Sequence, residues 1–220
     1  PDVGPLAAKL LPLIGREREL LRVEQRFERT LQQEGSVVLI EGPEGVGRSR
    51  LASELAIRAR LRGLTALRVD SLVCSESQGA LAGLVRALVE AAPAEARATL
   101  PARPWLLQEF EWLRRIAALP SGLPPLPQDL QERTTRLQNA VVDWLVAVAQ
   151  RRPLLVVVDD AHAIDPASAG ALIAIAHATE HRGLMLVACV LHGAPAPIPV
   201  RQLARFGSRI KLRNLSAESL

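Results

Sequence analysis

Three stretches of this chain, SVVLIEG (36–42), PLLVVVDD (153–160) and LMLVACVLH (184–192), run through apolar residues without alternation. A strand with one wet face alternates polar and apolar positions. Continuous apolar strands must be covered on both faces, which restricts the chain to a parallel sheet between two helical layers. Two shorter runs complete the set, so five strands are predicted at 36–41, 64–70, 153–158, 183–191 and 208–213. Helical periodicity fills the gaps. Leu20, Val23, Phe27 and Leu31 share one helical face. A helix from Ser49 is stopped by Gly63, and one over 79–92 is closed by Pro93. A long helix over 128–150 carries Leu137, Val141, Trp144 and Leu145. The last begins at Asp165, a suitable N-cap, with Pro166 in its first turn. PWLLQEFEWLRRIAAL (104–119) is predicted as one more helix, while 120–128 and 193–200 are predicted as loops.

Aromatic residues are scarce, so the core must be aliphatic. The chain has Trp105, Trp112, Trp144, three Phe and no Tyr. The net charge of +4 is carried almost wholly by arginine, since only Lys9 and Lys211 are lysines. Such an arginine bias marks genome composition better than a nucleic-acid face, and no nucleic-acid surface is expected within this segment. The two cysteines, Cys74 and Cys189, have no metal-binding spacing, and Cys189 lies in an apolar run. That usage fits a reducing, cytoplasmic setting. No apolar stretch reaches the length of a membrane span, and no membrane partner is expected.

The first apolar strand runs into GPEGVGRS, Gly42 to Ser49. Phosphate-binding loops read G-x-x-x-x-G-K-[ST], and here Arg48 stands in place of the lysine. In such a loop, backbone N–H groups point inward at a phosphate, and the helix behind adds its positive end. Gly42, Gly45 and Gly47 permit the required backbone. Gly42, Pro43, Glu44, Gly45, Val46, Gly47, Arg48, Ser49 and Arg50 are therefore the candidate phosphate site. The alternative is a glycine-bearing turn with no ligand. A second element weighs against it: LLVVVDDAH is an apolar strand tipped by Asp159 and Asp160. Downstream of a phosphate loop, Ser49 and Asp159 become candidate Mg²⁺ ligands. Asp160 becomes the candidate for activating water, with Arg48 beside the transferred phosphate.

LIGRERELLRV (13–23), GPEGVGRSRL (42–51) and VVVDDAHAIDPAS (156–168) together resemble one family. It is the AAA-type P-loop ATPase domain of the signal-transduction ATPases with numerous domains (STAND). The resemblance implies a three-layer sandwich with strand order 5-1-4-3-2. It implies that Leu13, Ile14, Gly15 and Arg16 lie near an adenine, and that residues 215–220 begin a helical lid. On that basis residues 1–214 are one nucleotide-binding domain with a helical insertion at about 93–126. Gly42, Gly45, Gly47, Ser49, Asp159, Asp160, His162, Asp165 and Ser168 match the family pattern. Arg48 departs from it, as do Ala163 and Ile164 in place of Trp-Ala, and Cys189 to His192 in place of a polar sensor. His192 could be a substitute sensor or a solvated loop residue.

The function these features imply is that of an ATP- or ADP-binding regulatory domain, with Mg²⁺, in a larger bacterial protein. Hydrolysis would be slow or absent, because arginine is longer and planar where lysine is a compact charge. Its partners would be nucleotide, flanking effector domains or another protein, and a second copy of itself. Three rivals stand beside it. One is a pseudo-ATPase scaffold, distinguished by nucleotide content. One is an initiator-type DNA-associated ATPase, which needs a further basic domain. One is a small-molecule kinase whose acceptor pocket would come from the 93–126 insertion.

Overall fold

The computed structural model describes residues 15–72, 79–118, 120–123 and 125–214. Its centre is a five-stranded parallel sheet built from β1 (Val37–Gly42), β2 (Thr65–Asp70), β3 (Leu154–Asp159), β4 (Leu184–Leu191) and β5 (Gly207–Lys211). The order is β2-β3-β4-β1-β5, which is 5-1-4-3-2 read from the other edge. The strand that ends next to His192 thus lies between the loop strand and the Asp159 strand.

Alternate residues of the strands enter two separate cores, which is why the runs show no polar alternation. Val38, Ile40, Leu155, Val157, Met185, Val187 and Cys189 pack with α1 (Glu17–Leu31) and α2 (Arg48–Leu61). Val37, Leu39, Val156, Val158, Leu186 and Ala188 pack on the opposite face. That face carries α3 (Gly79–Ala91), α6 (Leu130–Ala149) and α7 (Pro166–Ala178). Asp165 caps α7 by accepting from the Ser168 N–H at 2.9 Å, with Pro166 in the first turn.

The region between α3 and α6 departs from the expected single helix. Pro93 does not only follow α3; it opens α4 (Pro93–Thr99), where the missing N–H costs nothing at a helix start. The 104–119 stretch divides into α5 (Pro104–Glu109) and a 3₁₀ turn over Glu111–Arg115. Side-chain bonds accompany the break. Arg114 Nε donates to Leu107 O at 3.1 Å, taking the carbonyl that residue 111 would need in a continuous helix. Arg133 of α6 grips the Glu109 carboxylate through two bonds of 2.9 Å and fixes the end of α5. Trp144, fully buried on α6, donates through Nε1 to Thr99 Oγ1 at 2.9 Å and ties α4 down. The expected loop at 193–200 also differs, because Ile198 starts a short helix, α8 (Ile198–Gln202), with proline in its first turn. Among the described residues no helix is long and apolar enough to cross a membrane.

Candidate functional site

β1 delivers the chain into the glycine loop, and α2 begins directly after it. Gly45 (φ 71°) and Gly47 (φ 94°) are left-handed, a conformation L side chains rarely adopt. Gly47 is the N-cap of α2 and supplies no side-chain cap to its first turn. Glu44 and Gly45 make no hydrogen bond among the described residues. Gly42 is required for a different reason. A Cβ there would sit 2.7 Å from Val46 Cγ1 and 3.0 Å from Leu212 Cβ. Ser49 and Arg50 are exposed at the start of α2.

Arg48 neither points into solvent nor reaches Glu44. It curls back under its own loop, with its side chain only 10% exposed. Nη1 donates to Gly42 O at 2.7 Å and Pro43 O at 2.8 Å, and Nη2 donates to Asp160 Oδ1 at 3.2 Å. Asp160 is held in the left-handed region (φ 47°, ψ 41°), rare for a residue with a side chain. His162 Nδ1 lies 3.9 Å from Asp160 Oδ1 and accepts from the Leu191 N–H at 3.3 Å. Accepting there places the neutral ring's proton on Nε2.

Asp159 is fully buried at the end of β3. Its Oδ1 accepts from the Asp160 N–H at 3.1 Å, and its Oδ2 accepts from Arg68 Nη2 at 2.7 Å. Arg68 comes from the neighbouring strand β2. Two carboxylates are thus matched by two guanidinium groups at one end of the sheet. Cys189 of β4 lies within the field of all four. Burial, and then the Asp159 charge, push its thiol far above the ordinary range. Such a thiol is not a nucleophile. Iodoacetamide at pH 8 should leave Cys189 unmodified in the folded protein and modify it fully in guanidinium chloride, as peptide mass mapping would read.

The expected base-side residues are spread across the boundary of the described region, with Leu13 and Ile14 outside it. Gly15 (φ 75°) turns the chain, and its N–H donates to Glu17 Oε1 at 3.0 Å. Arg16 is buried and joins three segments. Nη1 donates to Glu19 Oε1 at 3.1 Å, and Nη2 donates to Val46 O at 3.1 Å and Arg213 O at 2.6 Å. Arg16→Ala should leave both carbonyls underused and cost about 1–3 kcal/mol in thermal or denaturant unfolding. Arg16→Lys should not restore the loss, since one ammonium cannot reproduce the fork. His192, 63% exposed, sits at the end of β4 with Nδ1 2.8 Å from Glu41 Oε1, at the entry to the loop. The expected lid, residues 215–220, lies outside the described residues.

Arg68 and Glu41 are the site residues that motif reading passes over. Arg68 left one signal, a charge inside the otherwise apolar strand TALRV. The pairing itself depends on the β2–β3 register, which sets Asp70 beside Asp159.

A phosphate fits this arrangement. The loop offers left-handed glycines, amides without internal acceptors and a helix N-terminus, all donors suited to an anion. A divalent cation at these carboxylates would have to compete with two guanidinium groups. Both oxygens of Asp159 are engaged, and Asp160 Oδ1 is held by Arg48.

A parallel sheet in this order, with a glycine loop between β1 and α2 and an acid-tipped β3, defines the P-loop NTPase fold. The chain belongs to the AAA ATPase domain family, whose family model matches residues 12–187. It is 32% identical over 170 residues to an uncharacterized protein of Rhizobium meliloti (strain 1021), covering 71% of this chain and 16% of that one. Aeropyrum pernix ORC1, solved in complex with DNA, is similar in fold. The TM-score is 0.57 at 16% identity, over 95% of this chain and 48% of ORC1. Cdc6p from Pyrobaculum aerophilum matches with a TM-score of 0.53 at 13% identity, over 90% of this chain and 45% of Cdc6p. The chain therefore spans about half the length of these solved structures and 16% of the curated relative.

Proposed function

We propose that this chain is the ATP- or ADP-binding regulatory domain of a larger signal-transduction ATPase of the STAND kind. The observation that carries the reading is the loop itself. Gly45 and Gly47 are left-handed and α2 starts without a side-chain cap, which supports reading the loop amides and the start of α2 as one anion-binding cradle. Family membership supports nucleotide as the anion. The short span of the chain on its curated relative supports a multidomain setting.

Slow hydrolysis follows from Arg48. Its guanidinium closes on two loop carbonyls and on Asp160, so the carboxylate that would orient water is committed to an ion pair. Binding through backbone amides does not need that carboxylate. Nucleotide state would be transmitted through the Arg16 contacts to the chain leaving β5 and on to flanking domains.

Isothermal titration of the purified chain with ATP and with ADP tests the reading. Heat is expected with both, together with slow steady-state phosphate release. A folded protein giving no heat with either nucleotide would leave the scaffold rival in its place.

A further inference from the structure

Asp159 holds the position at which a metal-dependent nucleotide site needs a free carboxylate. We infer that the Arg68 guanidinium takes, on Asp159, the place of a divalent cation, so that this chain binds nucleoside di- and triphosphates without a metal.

Asp159 is completely buried, its Oδ2 accepts from Arg68 Nη2 at 2.7 Å, and its Oδ1 accepts from the Asp160 N–H at 3.1 Å. The Arg68 bond at 2.7 Å is charge-assisted and lies where the dielectric is low. Mg²⁺ binds oxygen at about 2.0–2.1 Å in a near-ideal octahedron, and it gives up its waters reluctantly. To reach Asp159 Oδ2 directly it would have to displace the Arg68 guanidinium from a 2.7 Å ion pair. The local charge points the same way. Asp159 and Asp160 carry two negative charges, and Arg68 and Arg48 carry two positive ones, paired one to one. Within this cluster of four, no net negative charge is left to attract a cation. A nucleotide brings its own negative charge to a cluster whose loop already supplies amides and a helix N-terminus.

The pair is also asymmetric. Asp159 is 1% exposed at its side chain, and Arg68 is 32% exposed. The arginine is thus the member that can be removed or swung out, and Asp159 is the member left needing a cation. Arg68 is a positioning residue here and not a catalytic one, because it acts on Asp159.

The inference rests on the nucleotide-binding reading, so the test separates the two. ADP binding to the whole chain is measured by calorimetry in Mg²⁺ and in EDTA, for the parent and for Arg68→Gln. In parallel, Mn²⁺ binding without nucleotide is followed by electron paramagnetic resonance. The parent should bind ADP with affinities within about twofold in the two buffers, and should take up no Mn²⁺. Arg68→Gln should take up Mn²⁺ and bind ADP about tenfold more tightly with Mg²⁺ than in EDTA, a change of one decade in affinity. A parent that loses ADP about tenfold or more in EDTA overturns the inference and leaves nucleotide binding standing. A parent that binds no ADP in either buffer overturns the proposed function, and the Mn²⁺ arm then decides the Arg68 assignment. Mn²⁺ uptake by the parent overturns it, and so does a folded Arg68→Gln protein that takes up none. The parent comparisons need no variant, so they hold even where Arg68→Gln does not fold.

Discussion

Arg48→Lys should raise the ATPase rate of this domain by roughly tenfold, the scale of one released electrostatic contact in a transition state. The parent guanidinium spans three acceptors, two on Nη1 and Asp160 on Nη2. An ammonium is a single nitrogen on a shorter reach, so it cannot hold both loop carbonyls and the carboxylate of β3 together. The carbonyls are nearer in sequence, and Asp160 is the partner that should be freed. Arg48→Ala should act on a different step. It removes the positive charge under the loop and takes away the guanidinium partner of Asp160, and nucleotide affinity should fall by about tenfold. Single-turnover hydrolysis of labelled ATP reads the first variant and calorimetry reads the second. Unchanged rate and unchanged ATP-over-ADP preference in Arg48→Lys would show that Arg48 does not restrain the chemistry.

Trp144→Ala should destabilise the fold by about 3–5 kcal/mol, the cost of deleting a large buried aromatic side chain. Trp144 heads the largest fully buried side chains and has no exposed surface. It also satisfies Thr99 across 45 residues of sequence, joining α6 to the short helices that follow α3. The loss therefore combines a cavity with the release of α4. In a domain of this size the transition midpoint should drop on the order of 10 °C. Trp144→Phe keeps most of the ring and loses the bond, and should cost about 1–2 kcal/mol. Circular dichroism melts of both variants decide the matter. An alanine variant within about 1 kcal/mol of the parent would mean that Trp144 is not a keystone of this core.

The parts of the molecule legible in the sequence are those fixed by local rules. Strands β1, β3 and β4 announce themselves because burial on both faces leaves no room for polar alternation. The loop is legible because left-handed positions call for glycine at Gly45 and Gly47. Asp165 and Pro166 mark a helix start by their own chemistry. What was not legible depends on distant partners. The break after Glu109 is accompanied by Arg114 turning back on Leu107 and by Arg133 reaching from α6, and no periodicity encodes either. The pairing of Asp159 with Arg68 spans 91 residues and exists only once β2 lies beside β3. Motif reading supplies the acid and cannot supply its counter-ion.

The buried arginine at the entrance to α1 has a mechanical meaning. A single nitrogen, Arg16 Nη2, is bonded both to the Val46 carbonyl in the middle of the phosphate loop and to the Arg213 carbonyl just past β5. Two carbonyls that share one nitrogen cannot shift independently without giving up a bond. On the proposed nucleotide-binding reading, tension on the chain beyond Arg213 would be felt as a pull on the loop, and a phosphate seated there would resist it. Reciprocity of coupled equilibria fixes the exchange rate: whatever holding Arg213 still adds to the grip on phosphate, phosphate adds to the holding of Arg213. The lever has its fulcrum in α1, where Arg16 is braced by Glu19.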